Sequence, residues 1–140
     1  MFVRSFQLSD YVAVTRVLQS VLSEDCYRET IRAIARQLSW DSELVLVAEN
    51  EEGIVGVIIG TIDNNTGYYY RIAVHTDHQR KGIGKAMIQA LKQRFGQRKV
   101  KKIYITIDEH NEPILPVYES AGYVQADFNK PLKQLSIVNG

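Results

Sequence analysis

The chain has 140 residues, about the size of one domain and enough to bury one core, with 45% apolar and 24% charged residues, an ordinary soluble composition. A formal net charge of +1 supplies no bulk field that would recruit nucleic acid or a membrane surface, so neither is expected as a partner. The one cysteine, Cys26, cannot form an internal disulfide, no apolar run nears the roughly 18 residues of a membrane span, and residues 1–10 lack a signal-peptide pattern, so a cytoplasmic domain spanning 1–140 is expected.

Met1 to Gln7 alternates as a short strand, and Ser9 or Asp10 is placed to cap the helix that follows, in which Val14, Val17, Leu18, Val21 and Leu22 fall at helical spacing. Ile31, Ile34, Ala35 and Leu38 predict a second helix closed by Trp40 and Asp41. Leu44–Ala48 and Ile54–Ile62 are β-branched runs joined by the polar turn Glu49–Gly53. Asn64–Gly67 is a second turn, and Tyr68–His75 a third strand. Links this short imply an antiparallel meander. The next helix opens at Gly82, buries Ile83, Met87, Leu91 and Phe95, and is expected to end at Gly96. Ile103–Ile107 is a strand, Leu115–Ala121 a short helix stopped by Gly122, and Tyr123–Val124 and Leu132–Val138 are closing strands. The predicted order is β-α-α-β-β-β-α-β-α-β-β. The helix between the third meander strand and Ile103 makes a crossover, so those two strands should run parallel.

The stretch richest in chemistry is Gln79-Arg80-Lys81-Gly82-Ile83-Gly84-Lys85, between a strand and an amphipathic helix. A helix N-terminus presents unpaired amides and the positive end of the dipole, which together suit a phosphate. Gly82 and Gly84 would let backbone approach an anion, and Arg80, Lys81 and Lys85 put positive charge on the rim. The plain alternative is a glycine-rich turn with solvated basic residues. A Rossmann fingerprint is excluded because Met87 stands at the third glycine. A Walker loop is excluded because Ala86 follows Lys85.

Ile72-Ala73-Val74-His75 followed by Asp77-His78-Gln79-Arg80-Lys81-Gly82-Ile83-Gly84 closely resembles motif A of the GNAT superfamily of N-acetyltransferases. A second block, Asn111-Glu112 with Val117-Tyr118-Glu119-Ser120-Ala121-Gly122-Tyr123, resembles motif B. The resemblance implies an α/β fold with a GNAT-like mixed, mostly antiparallel sheet flanked by helices, acetyl-CoA as co-substrate and no metal. It implies that the backbone of Ile72, Ala73 and Val74 pairs with the pantetheine arm, that the amides of Gln79, Arg80, Lys81, Gly82, Ile83, Gly84 and Lys85 hold the pyrophosphate, and that a bulge splays the motif A strand from its parallel neighbour. Tyr118 matches the tyrosine that protonates the departing thiolate, and Asn111 a residue that contacts the cofactor. Pro113 and Pro116 crowd the helix start, which departs from the simplest motif B pattern.

On the acceptor side the resemblance implies a primary amine, on a small molecule or a protein, attacking directly in a ternary complex, by a monomer or homodimer. Several relatives carry a glutamate where this chain has Thr106, so that base is absent; Asp108, Glu109, His110 and His75 are substitutes by position only and read otherwise as solvated loop residues, His75 with no catalytic role. A lysine amine is neutral in about one molecule in 2,000 at pH 7 and an α-amine in about one in ten, so a lysine acceptor would gain most from a base. Tyr68-Tyr69-Tyr70 is open to two readings, strand packing or the wall of an acceptor pocket. The basic cluster Lys92, Arg94, Arg98, Lys99, Lys101 and Lys102 reads as a solvated helix end, and Cys26 as structural. A non-catalytic coenzyme A-binding sensor is the alternative from another functional class.

Overall fold

The computed structural model describes residues 1–106 and 114–129. Its elements are β1 (Phe2–Ser5), α1 (Tyr11–Val21), α2 (Glu24–Asp41), β2 (Val45–Asn50), β3 (Gly53–Asp63), β4 (Thr66–Val74), α3 (Ile83–Gln97), β5 (Lys102–Thr106), α4 (Leu115–Ser120) and β6 (Phe128–Asn129). Among the described residues the strands form one sheet in the order β1-β2-β3-β4-β5-β6. β1 to β4 run antiparallel to their neighbours, whereas β4–β5 and β5–β6 are parallel. The crossover through α3 therefore makes the expected parallel pair.

Helices cover both faces. Against one face α3 packs Met87, Leu91 and Phe95 on Leu46, Ile58 and Tyr69. Against the other, α1 and α2 pack Val14, Leu18 and Ile34 on Val47, Val57 and Tyr70. β3 lies in mid-sheet, buried continuously from Val55 to Thr61, which is why its sequence is a nearly unbroken apolar run. The β3–β4 hairpin turns on Asn64 and Asn65, both at positive φ (51° and 63°), a two-residue turn whose twist matches its strands.

The cap of α1 differs from expectation. Asp10 makes no side-chain cap bond; its carboxylate accepts from the Gln7 amide (2.8 Å) and from two nitrogens of Arg4 (2.8 and 2.9 Å). α2 is capped by Ser23, whose Oγ accepts from the Cys26 amide at 3.3 Å, with Glu24 and Asp25 complementing the dipole in the first turn.

Gly96 does not end α3. The helix continues to Gln97, and the chain turns away at Lys99, which adopts the left-handed φ of 58° and donates its amide to Gly96. Tyr123–Val124 is likewise not a strand. Gly122 at φ 100° closes α4 in a Schellman arrangement, with Gly122 N–H bonding Glu119 O and Tyr123 N–H bonding Tyr118 O. That bond holds Tyr123 against the helix end, so strand pairing begins only at Phe128, after a 3-10 turn. The expected strand Leu132–Val138 lies outside the described residues.

The feature that shapes the sheet is an extra residue in β4. Ile59 pairs with Arg71 and Gly60 with Tyr69, which leaves Tyr70 as a bulge. Beside it Gly60 carries no side chain because Leu91 and Phe95 occupy that space, each 2.9 Å from where a Cβ would stand. Gly60→Ala should overpack this point and destabilise the fold by about 1–3 kcal/mol in urea unfolding, with most of the loss in the midpoint.

Candidate active site

Among the described residues β4 pairs with β5 from Thr66 to Tyr69. Beyond the bulge its residues keep their β3 partners, and no described strand pairs with its other edge. The His75 amide donates to Val55 O at 2.8 Å, which sets the phase of the ladder. Residues alternate between facing β3 and facing away, so the N–H and C=O groups of Ile72 and Val74 point away from β3 while those of Ala73 bond it. The Gln79 side-chain amide donates to Val74 O at 3.1 Å and so ties the strand end to the loop that follows.

That loop begins with a 3-10 turn, Thr76–His78, anchored to α1 by Thr76 Oγ1 donating to Ser20 O at 2.9 Å. Arg80 takes a positive φ of 64°, and Gly82, the N-cap of α3, has φ 81° and ψ 7°. A left-handed residue followed by helical Ile83 turns successive amides to one side, a backbone nest suited to an anion. It coincides with the positive end of the α3 dipole. Gln79, Arg80, Lys81, Gly82 and Lys85 are exposed around it, whereas the Ile83 side chain is buried beneath.

The two glycines do different work. A Cβ on Gly82 would meet nothing within 4 Å, so its role is the positive φ. A Cβ on Gly84 would stand 3.0 Å from Val117 Cγ1 and within reach of Ile72 and Val74. Gly84 is thus needed for the approach of α4 to α3 and β4, a packing reason that differs from the open access to an anion expected of it.

That approach brings in Tyr118, 1% exposed, with its ring centroid 5.4 Å from that of Tyr69. Tyr69 donates to Ile88 O at 3.3 Å and shares a short hydrogen bond with the hydroxyl of Tyr123. Burial pushes the Tyr118 phenol well above its ordinary value, while the Arg71 charge draws it partly back. The group is therefore neutral and able to donate a proton across the physiological range.

The tyrosine triplet divides as strand alternation requires, with the bulge adding a twist. Tyr69 faces α3; Tyr68 lies beside Tyr104 on β5, at 6.0 Å between centroids; Tyr70 packs with the α1–α2 face. Thr106 is buried at the end of β5. His75 accepts the Asp77 amide at Nδ1 (3.2 Å) and stands 6.0 Å from the His78 ring. Within the basic cluster, Arg98 pairs with Asp41 at 2.8 Å, and Arg94 donates to Ser5 Oγ at 2.8 Å and to Glu43 O, so these two tie elements together. Asn111, Asp108, Glu109 and His110 lie outside the described residues.

Two features of the site escaped the sequence reading. Arg71, 2% exposed, is a charged residue within an apolar strand, which was the one available signal. A groove of about 530 Å³ lies where α1 gives way to α2, lined by Gln19, Leu22, Glu24, Tyr27 and Arg28. Its lining comes from Gln19 on α1, Leu22 between the helices, and Glu24, Tyr27 and Arg28 on α2, and no motif marks them.

A parallel strand pair beside a bulge, next to a helix N-terminus that opens on a backbone nest, suits an extended, phosphate-bearing ligand. The model of the acetyltransferase (GNAT) family matches residues 12–123. An acetyltransferase of Yersinia enterocolitica is 33% identical over 132 residues, covering 91% of this chain and 90% of that protein. One from Pectobacterium atrosepticum is 31% identical over 127 residues, with the same shares. Among solved structures, Ard1 from Thermoplasma volcanium superposes with a TM-score of 0.72 at 20% identity, covering 88% of this chain and 82% of that one. The PaiA N-acetyltransferase of Thermoplasma acidophilum in complex with coenzyme A gives 0.70 at 18% identity, covering 86% and 87%. The chain belongs to the GNAT acetyltransferase family, and with it to acetyl transfer from acetyl-CoA. Among the described residues no helix is long and apolar enough to cross a membrane.

The open space at Gly82 permits a clean test of the nest. Gly82→Asp adds a negative charge there, and Gly82→Asn is its neutral counterpart, which tolerates positive φ equally well. By calorimetry the Asp variant should bind coenzyme A at least 10-fold more weakly than the Asn variant. Equal affinities would place the pyrophosphate elsewhere.

Proposed function

We propose that the protein is an acetyl-CoA-dependent N-acetyltransferase that moves the acetyl group directly to a primary amine in a ternary complex, acting as a single cytoplasmic domain over 1–140. The observation that carries this reading is the backbone of Ile72 and Val74 facing away from β3 beyond the bulge, with Tyr118 buried against the ring of Tyr69, the last described β4 residue paired to β5. In this reading the amides of Gln79 to Lys85 hold the pyrophosphate, the edge of Ile72, Ala73 and Val74 aligns the pantetheine arm, and a cleft-facing amide polarises the thioester carbonyl.

The amine nitrogen attacks the carbonyl carbon, the C–N bond forms, and the carbonyl π pair moves to an oxygen held by the backbone N–H. Collapse of this intermediate breaks the C–S bond. Tyr118 gives its proton to the departing sulfur and is reprotonated by way of solvent with the proton the amine sheds, so charge and atoms balance. The α1–α2 groove with its carboxylate and arginine side chains supports an acceptor that enters from the face opposite α3. Acceptors differ widely among proteins of this shape: one is a ribosomal-protein-alanine N-acetyltransferase, another was solved with L-2,4-diaminobutyric acid. An amine panel of amino acids, polyamines and peptides, with products identified by mass spectrometry, decides the class. A protein that binds acetyl-CoA tightly and acetylates none of them would instead be a coenzyme A sensor, which Thr106 in place of an acidic base favours.

Tyr118→Phe keeps the ring and its contact with Tyr69, so acetyl-CoA should bind almost normally. Turnover with the best amine should fall by roughly 10²-fold, the lower end for a lost general acid, because a thiolate can also leave unassisted. With the phenol raised by burial, wild-type turnover should show no loss through pH 9 from ionisation of Tyr118. Wild-type turnover in the Phe variant would make Tyr118 a packing residue.

A further inference from the structure

Arg71 is a full charge buried in the sheet at the place where the cleft begins. A bulge sets two successive side chains on one face, and Tyr70 and Arg71 both project toward α2. There the guanidinium carbon lies 4.8 Å from the centroid of the Tyr70 ring, and Nη2 donates to the Tyr70 hydroxyl at 3.4 Å. Nε donates to Thr30 Oγ1 at 3.3 Å, and Nη2 stands 3.8 Å from Glu29 Oε2, both on α2. Thr30 is itself held, its hydroxyl donating to Cys26 O at 2.7 Å. One planar group thus grips the bulged residue and bolts it to the helix that borders the acceptor side.

We propose that Arg71 is a positioning residue: by clamping the Tyr70 bulge to Thr30 and Glu29 of α2, it fixes the direction in which the next amides of β4, those of Ile72 and Val74, face the thioester. The inference rests on the proposed acetyl transfer. A bulge leaves a strand residue without its ladder partner and locally free to twist, so an aim held to a fraction of an ångström needs an external brace. Arginine suits this because its flat fork stacks on the ring and bonds at its edge at once. The same charge is felt at Tyr118, where it opposes the effect of burial, so the brace also favours the side chain proposed to give up a proton.

The test reads the thioester directly and needs no amine. Acetyl-CoA carrying ¹³C at the carbonyl is bound to wild type, Arg71→Met, Arg71→Lys and Thr30→Val, and the infrared carbonyl band is compared with that of the free thioester. Desulfo-CoA affinity and turnover with the best amine are measured alongside. Wild type should shift the band to lower frequency. Arg71→Met should lose most of that shift and 10- to 10²-fold of turnover, a loss on the order of that for an ångström of misplacement, while desulfo-CoA affinity stays within about threefold. Arg71→Lys retains charge without the fork and should be intermediate, as should Thr30→Val. A folded Arg71→Met with the wild-type band and turnover overturns the proposal. If that variant does not fold, wild-type band and turnover in both Arg71→Lys and Thr30→Val do so. Absence of any shift in wild type that still binds desulfo-CoA would instead remove the reading of the cleft amides, and the role of Arg71 with it.

Discussion

Tyr70 is one residue more than the β3–β4 ladder can pair, and the working part of the molecule follows from that surplus. Among the described residues pairing to β5 ends at Tyr69, where the bulge begins, and the N–H and C=O groups of Ile72 and Val74 point away from β3. Backbone N–H and C=O groups are strong and costly to bury unpaired, so such an edge calls for hydrogen-bonding partners.

Packing then fills in around the opening. Gly60 lets Leu91 and Phe95 press on the sheet next to the bulge, and Gly84 lets α4 lie close enough to bring Val117 over the first turn of α3. With α4 seated, Tyr118 has no freedom to leave the Tyr69 ring. Its phenol is held in apolar surroundings that disfavour the phenolate. The absence of a side chain at two positions thus does as much to place Tyr118 as any contact does.

Charge is handled by local pairing. Arg98 with Asp41 and Arg71 with Glu29 link elements distant in sequence, and Arg4 with Asp10 ties β1 to the turn that follows it. The cations of the loop before α3, Arg80, Lys81 and Lys85, lie exposed on its rim beside the positive end of the helix dipole, an arrangement suited to an anion. A formal net charge of +1 is compatible with a strongly directed local field.

Periodicity alone defined most of the elements and their order, because helix and strand alternations are local properties of burial: the helix after Gly82, the three meander strands and the glycine stop after Tyr118 all stand as read. The motif blocks Ile72–Gly84 and Val117–Tyr123 likewise marked the strand, loop and short helix that border the cleft. Where the reading strayed, a nonlocal or competing contact decided. Gly96 did not stop its helix, because Lys99 could supply the turn, and Asp10 left its cap to meet Arg4 and Gln7. The bulge at Tyr70, the packing duty of Gly84 and the grip of Arg71 on α2 were settled by tertiary structure alone. Each depends on which residue of a distant element lies opposite, a matter of register and approach distance that a single sequence, read along its length, does not contain.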